Sequence, residues 1–205
     1  FRRVLFRSRV SQDLVAGSVS IDQRGTTAGA VVDFLSEGAS TRKTPSDPKV
    51  HLVPATPAEA AALAADTPYR AAIGILLWLS MTTRFDIAQP VAVASRFCSA
   101  PSEAHWTAVK HIFRYLAFTP TLGLVYSRHD GPIGIPSAFS DADHGGSRGD
   151  SWKSTLGFIV TLAGAAISWV SRLQKSVALS TVEAEYMALS LCAMRSEEHT
   201  SELQS

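Results

Sequence analysis

Two acidic residues frame the stretch of this chain best suited to chemistry: Asp141 in SAFSDADHGG and Glu185 in STVEAEYMALSLCAM. Each has a rival close by, Asp143 and Glu183. Carboxylates are the side chains that hold hard divalent cations, which take oxygen ligands. The elements that must position them read as strand, hairpin and helix. Ala138–Ala142 alternates into a short strand, with Phe139, Asp141 and Asp143 on one face and small residues on the other. Thr155–Leu162 and Ala165–Val170 are apolar and β-branched, and turn around Ala163-Gly164 as a hairpin. Ser180-Thr181-Val182-Glu183 is a capping box, which assigns Glu183 to the helix start and frees Glu185. Glu185, Leu189 and Cys192 then fall at i, i+4 and i+7, a stripe expected to face the sheet. A carboxylate on such a stripe is costly unless a cation or a donor meets it. The plainer reading of Asp141 is a strand-end residue that starts a turn before Gly145-Gly146.

The strings SDAD, KSTLGF, ISWVSRLQKSVALST and EAEYMAL together resemble the ribonuclease H domain of copia-type retrotransposon polyproteins. Upstream, Tyr69–Ile87, Ser95–Leu116 and Thr119–Tyr126 are similar to the connection between polymerase and ribonuclease H in the same family, in one collinear register. The resemblance implies an α/β fold: an RNase H-like, three-stranded antiparallel sheet with its first helix, truncated, after a mainly helical connection. It implies that Asp141 and Glu185 are catalytic and hold two Mg2+ ions, which hydrolyse the RNA strand of an RNA–DNA hybrid. It also implies that the rest of the Pol polyprotein is a partner and that the setting is intracellular. His144-Gly145, Trp152 and Phe85 depart from the family pattern without touching a proposed ligand. Two cations about 3.5–4 Å apart repel unless several carboxylates surround them. The family completes its site with later acidic residues that this chain lacks, so weak magnesium binding and no cleavage are expected of it alone.

Both ends carry a further signal. FRRVLFRS back-translates to TTC AGA CGT GTG CTC TTC CGA TCT, whose reverse complement encodes RSEEHTSE, the start of the tail at Arg195. That DNA resembles a sequencing-library adapter, so residues 1–8 and 195–205 are read as adapter-encoded. The intervening regions are then 9–66, the end of the reverse transcriptase region and a linker, 67–130, the connection, and 131–194, the first half of ribonuclease H. Without the ends, Lys and Arg fall from 19 to 15 and Asp and Glu from 18 to 15. A neutral insert gives no global electrostatic case for nucleic-acid binding, and any basic footprint must be local.

Local candidates exist. Lys110, His111 and Arg114 share what reads as the solvent side of a helix running from a Ser102 cap to Phe118, and could meet phosphates. Lys153, Ser154, Thr155 and Gly157 lie near the acidic strand and could contact a hybrid backbone; the alternative there is hairpin packing with a bulge at Gly157. Cys98 and Cys192 lack CxxC spacing and read as buried thiols. Ala71–Met81, the most hydrophobic run, is too short for a bilayer, so no membrane role is expected. GxSxG is absent, and neither Gly145–Arg148 nor Arg148–Asp150 matches a phosphate loop or more than a three-residue adhesion motif. Helices are also expected over 28–37, 69–82 and 84–98, and strands over Ser18–Asp22 and Leu122–Tyr126.

Overall fold

Helical spacing of apolar residues builds one unit of this α/β protein, and alternating apolar residues build most of the other. The structure, a computed structural model, describes residues 2–5, 7–130, 134–143 and 153–204, with side chains over 7–130, 134–143 and 153–198. Strands β1 (Arg2–Leu5), β2 (Ser8–Asp13), β3 (Ser18–Asp22) and β4 (Gly123–Ser127) form a sheet in that order. Gly123 is required where β4 begins, because a Cβ there would collide with the Ile21 carbonyl. The chain divides into two compact units, one mainly Ile21–Gly123, the other mainly Val10–Ser20 and Leu124–Ser205.

The helical unit holds α1 (Arg24–Phe34), α2 (Pro57–Ala62), α3 (Tyr69–Thr82), a 3-10 turn at Phe85–Ile87, α4 (Ala88–Ser95) and α5 (Glu103–Phe118). Leu76, Leu79, Ile87, Val91, Val109, Ile112, Phe113 and Leu116 are fully buried in one core. Each such side chain stabilises the unit by about 1.5–3 kcal/mol relative to exposure. α1 begins four residues before the Ala28 start read from sequence, since Gln23 and not a threonine stands at its cap and Thr27 is buried. The Ala-rich linker contains α2, which Thr56 and Glu59 close with a capping box. Pro90 sits in the first turn of α4, where its missing amide costs least.

Arg84 is the largest fully buried side chain, 1% exposed. Its Nε and Nη2 donate to Asp86 at 3.0 and 2.8 Å, Nη1 to the Thr119 carbonyl at 3.1 Å, and Nη2 also to Thr119 Oγ1 at 2.7 Å. Tyr115 donates its hydroxyl to Asp86 at 2.8 Å and places its ring under the guanidinium. Burial, and then the Asp86 carboxylate, push the Tyr115 phenol up, so it stays a donor.

A segment between α1 and α2 runs along α5 as a strap. Arg42 N–H donates to the Arg114 carbonyl at 3.2 Å, His111 Nε2 meets the Thr44 carbonyl at 3.0 Å, and His105 Nε2 meets the Val53 carbonyl at 3.0 Å.

The second unit holds a three-stranded antiparallel sheet, β5 (Ser137–Asp143), β6 (Thr155–Leu162) and β7 (Ala165–Leu173), in that order, followed by α6 (Thr181–Gln204). Ala163 and Gly164 both have positive φ, 51° and 84°, as the two-residue hairpin turn demands. The bulge that was the alternative reading of Gly157 is not there. Gly157 pairs in register with Asp141 and Ser171, and the register shift falls between Val160 and Thr161. α6 packs on β5 and β6.

Replacing Arg84 by Ala removes one partner of a buried pair and orphans the Thr119 carbonyl. Denaturant unfolding is expected to show a loss of about 3–5 kcal/mol, and Tyr115→Phe a loss of about 0.5–1.5 kcal/mol.

Candidate functional site

Asp141 lies near the end of β5, exposed, and Glu185 lies in the second turn of α6, also exposed. β5 and β7 run the same way, and α6 follows β7, so both acids belong to the same end of the sheet. They do not share a face. Cross-strand partners project to one side and neighbours along a strand to opposite sides. Phe158, Val160, Val170 and Cys192 pack together, so α6 covers the face that carries Phe158 and its partner Ser140. Asp141 pairs with Gly157 and belongs to the other face, with Phe139, Ile159 and Trp169. Asp143 shares that face. Further down it, Asp130, Ile135, Ser137, Phe139, Thr161, Ala163 and Gly164 line an open hollow of about 370 Å³.

The stripe read for α6 holds at Cys192 and is displaced by one residue at its first two positions. Ala184, Ala188 and Cys192 are the buried residues, at 0, 0 and 2% exposure, whereas Leu189 is 55% exposed and Glu185 lies beside the buried stripe. Small residues meet the sheet because they let the helix approach closely; Cys192 Sγ comes within 3.7 Å of the Phe139 carbonyl oxygen. The cap forms with one variation. Ser180 Oγ accepts from Glu183 N–H at 3.1 Å, and the Glu183 carboxylate reaches past the cap to Leu179 N–H at 2.7 Å. That role occupies Glu183, as the sequence indicates.

Gln174 is a buried anchor that no periodicity marks. It is 2% exposed; its N–H donates to the Ser154 carbonyl at 2.8 Å and its Nε2 to the Ala184 carbonyl at 3.0 Å. It thereby fixes the height of the first turns of α6 against the end of the sheet. The only sequence signal was an amide between a strand and a helix cap.

The basic candidates separate. Ser154 is fully buried and offers no surface to a phosphate chain, while Lys153 and Thr155 are half-buried beside it. Lys110 pairs with Glu103 at 3.2 Å and lies 5.8 Å from the centre of the Trp106 ring. The strap covers the side of α5 read as solvent-facing: His111 holds Thr44, and Arg114 Nε is buried without a hydrogen-bond partner among the described residues. The glycine turn and the Arg148–Asp150 tripeptide lie outside the described residues. Among the described residues no group of three or more His, Cys, Asp or Glu is arranged to hold a metal ion. No helix among them is long and apolar enough to cross a membrane.

The site is therefore a strand–hairpin–helix unit of an α/β protein with two carboxylates at one end of its sheet. Over 124 residues, 60% of its length, the chain is 47% identical to a retrovirus-related Pol polyprotein from transposon TNT 1-94 of Nicotiana tabacum, of which it covers 9%. It is 42% identical over 125 residues to a protein of Plasmopara viticola named secreted RxLR effector protein 161, of which it covers 86%. It is 36% identical over 129 residues to a putative transposon Ty5-1 protein of Saccharomyces cerevisiae, of which it covers 41%. The transposon relatives support a retrotransposon Pol fragment, and the chain spans less than half of the length of either of those two. No family model and no solved structure matches it.

The two stripes of α6 are separable by experiment. Ala184→Leu should overfill the contact with the sheet and lower stability by about 1–3 kcal/mol. Leu189→Ser and Glu185→Gln should each stay within about 0.5 kcal/mol, as read by thermal or urea unfolding.

Proposed function

We propose that this chain carries part of the ribonuclease H region of its parent polyprotein, with a helical connection before it. In this reading Asp141 and Glu185 are two of the ligands for magnesium. The observation that carries the proposal is the order strand–hairpin–helix with one acid on the strand and one on the helix, at the same end of the sheet, in a chain 47% identical over 124 residues to a Pol polyprotein. Carboxylate oxygens suit magnesium, which keeps several waters and demands few protein ligands. When bound, the ions would activate the attacking water and stabilise the leaving 3′ oxygen of the RNA strand.

The residues of this chain set limits on that chemistry. Asp141 belongs to the face of β5 that α6 does not cover, Glu185 lies on α6, and two carboxylates cannot neutralise two divalent ions. The site of the parent therefore needs further carboxylates beyond this pair. The partner is an RNA–DNA hybrid held next to the acidic end of the sheet, with Thr155, the cross-strand partner of Asp143, and Lys153 just before it as a hydroxyl and a basic contact. Ser154 and Gln174 build the floor beneath it. Polymerisation is not part of the proposal.

The pleat also supports a second reading: a non-catalytic RNase H-like module, or a relic of the element, that packs or binds nucleic acid. An Asp that faces away from the helix bearing its partner needs no metal.

One experiment separates the two. The chain alone should cleave no RNA–DNA hybrid in magnesium. The same chain extended into the following part of the parent polyprotein should cleave it. Asp141→Asn and Glu185→Gln should each reduce that cleavage by more than about 100-fold, since changes one layer outside a metal site already cost 10- to 100-fold. Cleavage by the extended chain that survives both substitutions excludes the two acids; hybrid binding without cleavage in any version establishes the second reading.

A further inference from the structure

Gln174 keeps an amide where an apolar side chain would be less costly. Val170 packs on the face of the sheet that α6 covers, and Gln174 follows four residues on, so alternation gives it the same face. Its N–H donates to the Ser154 carbonyl at 2.8 Å, which adds a rung past the last paired row, Asp143–Thr155–Leu173. Its Nε2 donates to the Ala184 carbonyl at 3.0 Å. An amide turned the other way would set two carbonyl oxygens against each other, so the acceptor fixes which end is the nitrogen. Oε1 is then buried without a hydrogen-bond partner among the described residues, and such an orphan lowers stability. Ala184 does not depend on the bond, because the N–H of Ala188 serves its carbonyl within α6. A methionine of the same length would fill the space without the orphaned oxygen.

We propose that Gln174 is a positioning residue for the divalent-cation site: through the Ala184 carbonyl it holds Glu185 at the level of the acidic end of β5. The proposal rests on the reading of Asp141 and Glu185 as magnesium ligands. The Ala184 carbonyl belongs to the planar peptide group that ends at the nitrogen of Glu185. Gln174 therefore ties that plane, and the start of Glu185 with it, to the row just past Asp143. The other contacts of the first turns do not set this level. Ser180, Glu183 and Leu179 close the cap among themselves, and the apolar contact through Ala184 and Ala188 has no direction. Gln174 is itself buried and meets no ion; it acts one layer behind the carboxylate, where orienting hydrogen bonds set the geometry of a ligand. A carboxylate already held in place binds without first ordering a helix end. The orphaned Oε1 is the stability given up for that fixed position.

Metal binding and stability are read separately in the whole chain. Mn2+ takes the same oxygen ligands as magnesium, and it broadens nearby amide signals in NMR spectra. In the wild-type chain it should broaden the signals of Asp141 and Glu185 together, and excess magnesium should reverse the effect. Gln174→Met should raise the Mn2+ concentration needed by about tenfold, the scale of a lost bond one layer behind a metal ligand. Its urea midpoint of unfolding should stay the same or rise. Reciprocity supplies a measurement on the wild-type chain if the variant does not fold: saturating magnesium should slow hydrogen exchange of the Gln174 side-chain amide by a similar factor. No broadening of Asp141 and Glu185 in the wild-type chain removes the ligands themselves, and the proposal with them. Broadening that is unchanged in folded Gln174→Met overturns the positioning role alone. So does weaker binding in a variant destabilised as a whole, or an exchange rate indifferent to magnesium.

Discussion

A guanidinium taken out of water constrains the whole helical unit. Arg84 has five N–H donors and no access to solvent, so the chain must bring acceptors to it. They come from Asp86, two residues on, and from Thr119, at the far end of α5. Arg84 itself follows α3, and its N–H donates to the Leu79 carbonyl of that helix. The cation therefore sits where two helices end, beside carbonyls that carry the negative end of each helix dipole. Apolar packing between α3 and α5 is non-directional. The ion pair is not, and it fixes the level at which the two helices meet. Tyr115, one turn before Thr119, lends a hydroxyl to Asp86 and its ring to the guanidinium. α5 is thereby held at one end by a buried cation and at its start by the buried imidazole of His105.

The strap shows why charge and burial had to be weighed together. Read as a bare helix, α5 presents Lys110, His111 and Arg114 to solvent at positions suited to phosphates. Seated under residues 42–53, Lys110 meets a carboxylate and His111 a carbonyl, while Arg114 buries its Nε without a hydrogen-bond partner among the described residues. Their apparent basicity as a patch is partly spent inside the molecule. The strap itself carries exposed charges, at Arg42, Lys43 and Lys49, with Asp47 between them.

Strong periodicity was legible and weak periodicity was not. α3 and α5 stand where their apolar spacing put them, as do β6 and the turn at Ala163-Gly164. β2 was invisible because Val10 is the one apolar residue in Ser8–Asp13. The strap was invisible because it is held by imidazoles and carbonyls, which leave no pattern along a chain. α6 misled for a specific reason. Its large apolar residues, Val182, Tyr186 and Leu189, fall on the outer side at 61, 68 and 55% exposure, while the sheet is met by Ala184 and Ala188. A count of hydrophobic mass selects the wrong stripe when the true contact needs small residues. Gly157 misled similarly: a strand glycine reads as a bulge, yet here it stands opposite Asp141 in an unbroken ladder.

The parity of β5 decides what the two acids can do. Alternation leaves two choices: Ala138, Ser140 and Ala142 against α6, or Phe139, Asp141 and Asp143. The small set is the one seated, and it matches the alanines across from it. Reversing it would bury Phe139, now 61% exposed, and would gain about 1.5–3 kcal/mol of apolar burial. It would also press two carboxylates into the packed layer, each of which costs several kcal/mol unless a cation meets it. Without a cation the second term wins, and the observed parity follows. On the proposed reading, the same balance keeps a shared ion out of the packed layer between β5 and α6 and leaves for it the end of the sheet, where the last residues of β5 and the first turns of α6 both reach solvent.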